Sequence, residues 1–312
     1  MGYTLAVIGC GTMGIAVLSG VLASLDATLS QSAAAKWESH TPGTTTPTLL
    51  PTDDSLPSRF VATVSRQESA KRLRSLFFSL GGLGPSVEIL VGGNVKAVEE
   101  ADVVLLCCKP QLAEAILSEP GLKEALHGKL LISILAGVTI AQLTNMVGAG
   151  TSVVRAMPNT PCKIREGMTV VSNLPSSDSL ELDRERILKI FSSIGRCRFL
   201  DEKHFDACTA LSGSGPAFAC IFLEAMADGG VMMGLPRAEA LELAAQTLQG
   251  AARMTLGGGT HPAQLKDAVT TPGGCTIAGL LALEDGRVRS TIARAIQIAT
   301  ERASELGQPA KK

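Results

Sequence analysis

Through the first two thirds of the chain, short apolar runs rich in β-branched residues alternate with stretches whose apolar positions recur at helical spacing. The runs fall at Thr4–Ile8, Arg59–Val64, Glu88–Val91, Val103–Cys107, Lys129–Ser133 and Ser152–Ala156. Two weaker ones, Met168–Val171 and Arg196–Leu200, flank a helical stretch over Leu182–Ile194. Strands alternating with helices predict an α/β fold with a wound parallel sheet. After His204 the strand pattern ceases, and Phe218, Ile221, Phe222, Ala225 and Met226, then Leu241, Ala244, Ala245 and Leu248, recur at helical spacing. Breakers at Gly234-Leu235-Pro236, Gly257–Gly259 and Pro272-Gly273-Gly274 punctuate this all-helical last third. The expected domains are a sheet domain over 1–200 and a helical domain over 201–312. The apolar helix faces exceed what one hundred-residue domain can hide, which predicts a dimer built on them. Between the first helix and the second strand, Ala27–Ser58 is rich in Thr, Ser and Pro and holds the only tryptophan, Trp37. It reads as a loop insertion.

Composition narrows the function classes. A chain of 312 residues with 46% apolar side chains can bury two ordinary cores. A formal charge of −1 offers no basic footprint, so a small molecule rather than nucleic acid is the expected partner. Met1-Gly2-Tyr3-Thr4 leads straight into an apolar run, with no room for a secretory signal, and stretches such as Leu130–Ile140 are broken by Ser133 and Gly137. No membrane partner and a cytoplasmic location are therefore expected. The eight cysteines are scattered singly apart from Cys107-Cys108, with no CxxC pair and no histidine at ligand spacing. They read as buried small hydrophobes in a reducing compartment, with no metal site.

Gly9-Cys10-Gly11-Thr12-Met13-Gly14 fits G-x-G-x-x-G and sits between a predicted strand and a helix predicted to open near Met13. In that context the first glycine permits a tight turn, the second lets backbone approach a pyrophosphate, and the third lets helix and strand pack closely. The sheet domain is accordingly expected to be Rossmann-type. At the end of the second strand the chain reads Val64-Ser65-Arg66, with no carboxylate until Glu68, so a ribose 2′-phosphate is accommodated and NADPH is expected over NADH. Lys109 and Pro110, after the fourth strand, and Ala136, in a small-residue turn after the fifth, lie where open α/β sheets hold ligands. Asn94 could reach the adenosine side. Gly273, Gly274 and Cys275 open a helix whose N–H groups, with Thr270, Thr271 and Thr276, make either a carboxylate seat or simply a helix cap. His40, His127, His204 and His261 all read as structural, which suits a substrate that needs no strong general acid, such as a protonated C=N.

On Ala6–Gly14, Lys109-Pro110, Arg155–Pro161, Leu211–Ala217, Ala227–Gly230 and His261-Pro262 through Gly279, the chain resembles the pyrroline-5-carboxylate reductase family over nearly its whole length. The resemblance implies NADPH-dependent reduction of the cyclic imine 1-pyrroline-5-carboxylate to L-proline. It implies helical domains swapped into a dimer, with dimers assembling into larger rings, and each site shared between one subunit's cofactor domain and its partner's helices. It also implies that Thr271, Gly273 and Gly274 hold the substrate carboxylate, that Thr276 hydrogen-bonds the ring nitrogen as the catalytic residue, and that Ser214-Gly215-Pro216 lies near the nicotinamide. Two departures stand out: the length of Ala27–Ser58, and Gly257–Thr260 where some relatives carry a glutamate before the His-Pro pair. The rival readings are a reductase of another small cyclic imine, a β-hydroxyacid dehydrogenase using Lys203 or Lys266, and a catalytically silent dinucleotide sensor.

Overall fold

The computed structural model describes residues 2–38, 53–174 and 180–306. They form two compact units, one running to Gly213 and rejoined from Glu301, the other Ser214–Thr300. The division falls after Gly213, against an expected boundary at 200, and Glu301–Leu306 of the last helix belong to the first unit.

All eight predicted strands are present: β1 Tyr3–Ile8, β2 Pro57–Val64, β3 Glu88–Val91, β4 Val103–Leu106, β5 Leu130–Ser133, β6 Ser152–Met157, β7 Gly167–Ser172 and β8 Gly195–Leu200. They form one sheet in the order β3-β2-β1-β4-β5-β6-β7-β8. The first six strands are parallel, with Leu5 of β1 opposite Phe60 on one side and Val103 on the other. β7 departs from the all-parallel expectation, because it pairs antiparallel to β6 and carries β8 parallel to itself. The reason is the connection: only a short turn of 3-10 helix, Thr160–Ile164, separates β6 from β7. A parallel neighbour needs a crossover of a dozen or more residues.

Alternate strand residues feed two cores, one on each face of the sheet. On one face Leu5, Val7, Phe60, Ala62, Leu105 and Ile132 pack with helices α1 (Thr12–Glu38), α2 (Gln67–Leu80) and, much later in the chain, α7 (Glu181–Ser192). On the other, Ala6, Ile8, Val61, Val104 and Leu131 pack with α3 (Asn94–Glu99), α4 (Ala113–Leu117), α5 (Leu122–Leu126) and α6 (Ile140–Val147). Each fully buried large side chain among these contributes about 1.5–3 kcal/mol by leaving water.

The expected loop over Ala27–Ser58 begins as helix instead. No glycine or proline interrupts the chain between Gly20 and Pro42, so α1 runs on to Glu38 and carries Trp37 within it. Thr28 and Ser30 donate to the carbonyls of Ser24 and Asp26 one turn back. Residues 39–52, which include His40, lie outside the described residues. The far end of the segment is tied down: Asp53 pairs with Lys189 of α7 at 2.6 Å, and Arg186 Nε donates to the Asp54 carbonyl at 3.2 Å.

The second unit follows a short α8 (Phe205–Cys208) and a π-type turn at Thr209–Gly213. It contains α9 (Gly215–Met232), α10 (Arg237–Gly258), α11 (Pro262–Ala268), α12 (Cys275–Asp285) and most of α13 (Val288–Leu306). Its fully buried residues are the alanines Ala227, Ala240 and Ala244. The large side chains face outward instead: Ile221 is 64%, Met232 87%, Leu243 57% and Leu281 59% exposed. Phe218, Ile221, Phe222, Val288, Ile292 and Ala295 line an apolar cleft of about 290 Å³. Two helical stretches, Thr12–Ser30 and Glu202–Met232, are long and apolar enough to cross a membrane by length and composition, which the broken stretch at Leu130–Ile140 did not anticipate. The first is held in the sheet domain by Val17, Leu18, Val21 and Leu22, all in the core.

Candidate functional site

Strand order reverses between β1 and β4, and the glycine motif opens there. The Cys107 N–H donates to the Ile8 carbonyl at 2.8 Å, holding the two strand ends together. Gly9 leaves β1 with φ +72, and a Cβ on it would stand 3.0 Å from the Cys108 backbone. Only glycine takes that turn without strain. Gly14 is buried, and a Cβ there would press on Val7 Cγ1 at 3.1 Å. Gly11 is exposed, and the nearest atom to an added Cβ is the Gly9 carbonyl oxygen at 3.8 Å. The three glycines thus separate into a turn, an open approach and a packing contact, as a dinucleotide's phosphates require. α1 begins at Thr12, which is exposed directly after Gly11.

Three thiols surround this turn. Burial pushes Cys10 up to about 12 and Cys108 up to about 11, and raises Cys107 well above the usual thiol range, with the neighbouring thiols adding to it. All three stay neutral at pH 7 and place no negative charge beside the Gly9–Gly14 turn. Cys162 and Cys197 are buried as expected, but Cys220 and Cys275 are exposed, so the eight are not uniformly small core residues.

Ser65 and Arg66 are exposed at the carboxyl end of β2, with Arg66 at the N-cap of α2. Asn94 opens α3 after Gly92 and Gly93, both in the left-handed region, and its amide is already engaged. Its Oδ1 accepts from the Thr63 hydroxyl at 2.7 Å, and its Nδ2 donates to Glu119 at 2.7 Å. Thr63 in turn accepts from the Gly9 N–H at 3.2 Å, while its carbonyl accepts from the Cys10 N–H at 2.8 Å. Lys109 is exposed ahead of a 3-10 turn begun by Pro110. Ala136 is half-buried against Met157, Val170 and Phe205.

A half-buried ion pair flanks the Ala136 turn. Arg155 of β6, its side chain 4% exposed, reaches Glu202 at 2.8 Å and lies 4.8 Å from the centre of the Phe205 ring. The same Glu202 oxygen accepts the Ile140 N–H at 2.8 Å, and Thr139 and Gln142 complete a capping box on α6. A cleft of about 390 Å³ adjoins the pair, lined in part by Gly137, Thr139 and Asp206. Further along, Asn159 accepts from the Met168 N–H at 2.9 Å and donates to the Ser212 carbonyl at 3.1 Å, which ties β7 to the π-type turn. Sequence reasoning singled out this Arg–Asn stretch without assigning it work. A charged residue inside an apolar strand was the available signal.

In the second unit, Thr270 donates to the Lys266 carbonyl and the Gly274 N–H to the Thr271 carbonyl, closing the loop before α12. Gly273 has φ +66. Gly274 is the N-cap of α12 and supplies no side-chain cap, so Cys275 and Thr276 begin a helix whose first N–H groups lack that acceptor. His261, by contrast, caps α11 through Nδ1, which accepts from the Ala263 N–H at 3.2 Å. Lys266 sits 2.6 Å from Asp267 and Lys203 3.6 Å from Asp201. Among the described residues no three His, Cys, Asp or Glu side chains converge as a metal set would.

Two family models match the chain: "pyrroline-5-carboxylate reductase dimerisation" over 202–306, and "NADP oxidoreductase coenzyme F420-dependent" over 51–137. A pyrroline-5-carboxylate reductase of Lophium arboricola is 49% identical, covering 98% of this chain and 93% of that protein. One of Schizosaccharomyces pombe is 44% identical, covering 97% and 98%. Among solved structures, a pyrroline-5-carboxylate reductase from Coxiella burnetii superposes with a TM-score of 0.78 at 27% identity, covering 98% of this chain and 99% of that one. A Plasmodium falciparum pyrroline carboxylate reductase with NADP bound gives 0.73 at 27% identity, covering 98% of each. With nearly its full length aligned at up to half identity, and with the dinucleotide turn and helical unit in place, the chain belongs to the pyrroline-5-carboxylate reductase family.

Proposed function

We propose that this protein reduces the C=N bond of 1-pyrroline-5-carboxylate to give L-proline, with NADPH preferred over NADH. The observation that carries the reading is the open backbone at Gly11, set between β1 and β4 in a chain whose relatives are named for this reaction. When bound, the nicotinamide cofactor supplies the hydride. Everything else falls to the chain. Gly9–Gly14 and the first turn of α1 seat the diphosphate, and Ser65 and Arg66 take the 2′-phosphate with no carboxylate nearer than Glu68 to repel it. Lys109, Pro110 and Ala136 line the approach along the strand ends, and Asn94 serves the adenosine side.

Thr271, Gly273, Gly274 and Cys275 receive the substrate carboxylate at the uncapped start of α12. The substrate enters as the protonated C=N, so hydride addition to carbon yields the amine with its N–H already in place, and the Thr276 hydroxyl hydrogen-bonds that ring nitrogen throughout. Catalysis is then positioning and a matched electrostatic seat rather than strong acid chemistry. That agrees with a histidine occupied in capping α11 and with lysines, Lys203 and Lys266, that each stand beside an aspartate. The protein self-associates through its helical unit. The finer reading is a ring of dimers working in the cytoplasm, its apolar helix faces covered by other copies of the chain and not by lipid, and with no nucleic-acid partner. Purified protein given racemic 1-pyrroline-5-carboxylate should oxidise NADPH faster than NADH and release proline. Tight NADP⁺ binding without turnover would refute the reaction.

A further inference from the structure

Beneath the cofactor turn, a polar line crosses the ends of three adjacent strands: Glu119, Asn94 after β3, Thr63 on β2 and Gly9 after β1. The direction of every hydrogen bond in it is determined. The Thr63 hydroxyl has one hydrogen and gives it to Asn94 Oδ1, so its oxygen is left to accept the Gly9 N–H. Asn94 Nδ2 faces Glu119, and an ionised carboxylate can only accept. A flipped amide would set its oxygen against the carboxylate and leave the Thr63 hydrogen without an acceptor, so the anion at 119 imposes one orientation on the whole line. Asn94 then holds one N–H donor committed to Glu119 and a second that suits the acceptor-rich oxygens of a nucleotide. Thr63 is 1% exposed among the apolar residues Phe60–Val64 that end β2, and its buried hydroxyl has both its bonds made.

We propose that Thr63 and Glu119 are positioning residues for the dinucleotide: together they fix the Asn94 amide and the Gly9 turn in the arrangement that receives it. The inference rests on the reductase reading. Its test uses full-length protein, with calorimetric titration of NADP⁺, thermal unfolding, and kcat and KM for NADPH on wild type, Thr63→Val, Thr63→Ser and Glu119→Gln. Losing the Thr63 hydroxyl should raise Kd for NADP⁺ about tenfold and KM for NADPH similarly, with kcat within about twofold of wild type. Thr63→Ser keeps the hydroxyl and should restore binding. Glu119→Gln, at a half-buried surface position that spares the fold, should raise Kd about threefold because its amide no longer dictates direction. Variants that lose thermal stability but bind NADP⁺ as wild type does would make the line mere sheet-edge bonding and overturn the inference alone. A wild-type protein that binds no dinucleotide would overturn the reductase reading, and the inference with it.

Discussion

An alanine at position 11 puts one methyl group where the folded chain has open space, since the nearest atom, the Gly9 carbonyl oxygen, is 3.8 Å from the new Cβ. Gly11 does not occupy the left-handed region, so its backbone also accepts the change. The free protein should therefore not be harmed. Restricting the unfolded chain should add about 0.4–1 kcal/mol of stability, a rise of roughly 1–3 °C in Tm. With a pyrophosphate drawn against that backbone the methyl becomes overpacking, at a cost of about 1–3 kcal/mol. That corresponds to a Kd for NADP⁺ raised about 5- to 150-fold. Gly9→Ala should behave in the opposite way: φ +72 and 3.0 Å contacts to Cys108 strain the free fold itself, by about 1–2 kcal/mol or more. Thermal unfolding without ligand and calorimetric titration with NADP⁺ read the two effects separately. A Gly11→Ala protein that binds NADP⁺ as tightly as wild type would refute the placement of the diphosphate on this turn.

Three further outcomes follow from the geometry. Thr276→Ala should lower kcat about 100-fold while leaving the Kd for NADP⁺ within about twofold, and an equal loss of both would remove its role at the ring nitrogen. Lys189 and then Ser55, by hydrogen bonding, hold the Asp53 carboxyl down at about 2. A depressed folded value means the stability it brings is present above about pH 4 and drains away as the pH falls through about 2. Because both side chains are substantially exposed, the gap in urea unfolding between wild type and Asp53→Asn should be only about 0.5 kcal/mol at pH 6 and close near pH 2; a gap independent of pH would contradict the pairing. Glu202→Ala strands the buried Arg155 guanidinium and should cost about 3 kcal/mol in urea unfolding, with Glu202→Gln milder because it still accepts. A loss below about 1 kcal/mol would show that the pair is not what holds Arg155.

The strands were legible because each is a compact apolar run bounded by breakers, and the glycine turn because three glycines at fixed spacing follow one of them. The direction of β7 was not, since it depends on the length of a turn rather than on any residue of the strand. Nor was the continuation of α1 through Glu38: a Thr- and Pro-rich segment downstream coloured the reading of a stretch that itself contains no breaker. Ser65, Arg66 and Lys109 are exposed just past strand ends of the first unit, and α12 of the second begins without a side-chain cap, both positions that strand and helix spacing locate in the sequence. The bonds of Asn94 to Thr63 and Glu119, and of Arg155 to Glu202, join residues 25 to 47 positions apart, which no local pattern encodes.

The alanine-lined interior of the second unit also governs how the protein responds to dilution. A lone chain keeps Ile221, Met232, Leu243 and Leu281 in water, so little of the burial that would stabilise those helices is its own. Folding of that unit and pairing of chains should then act as one mass-action equilibrium, with a thermal midpoint that climbs with protein concentration instead of being a constant of the sequence.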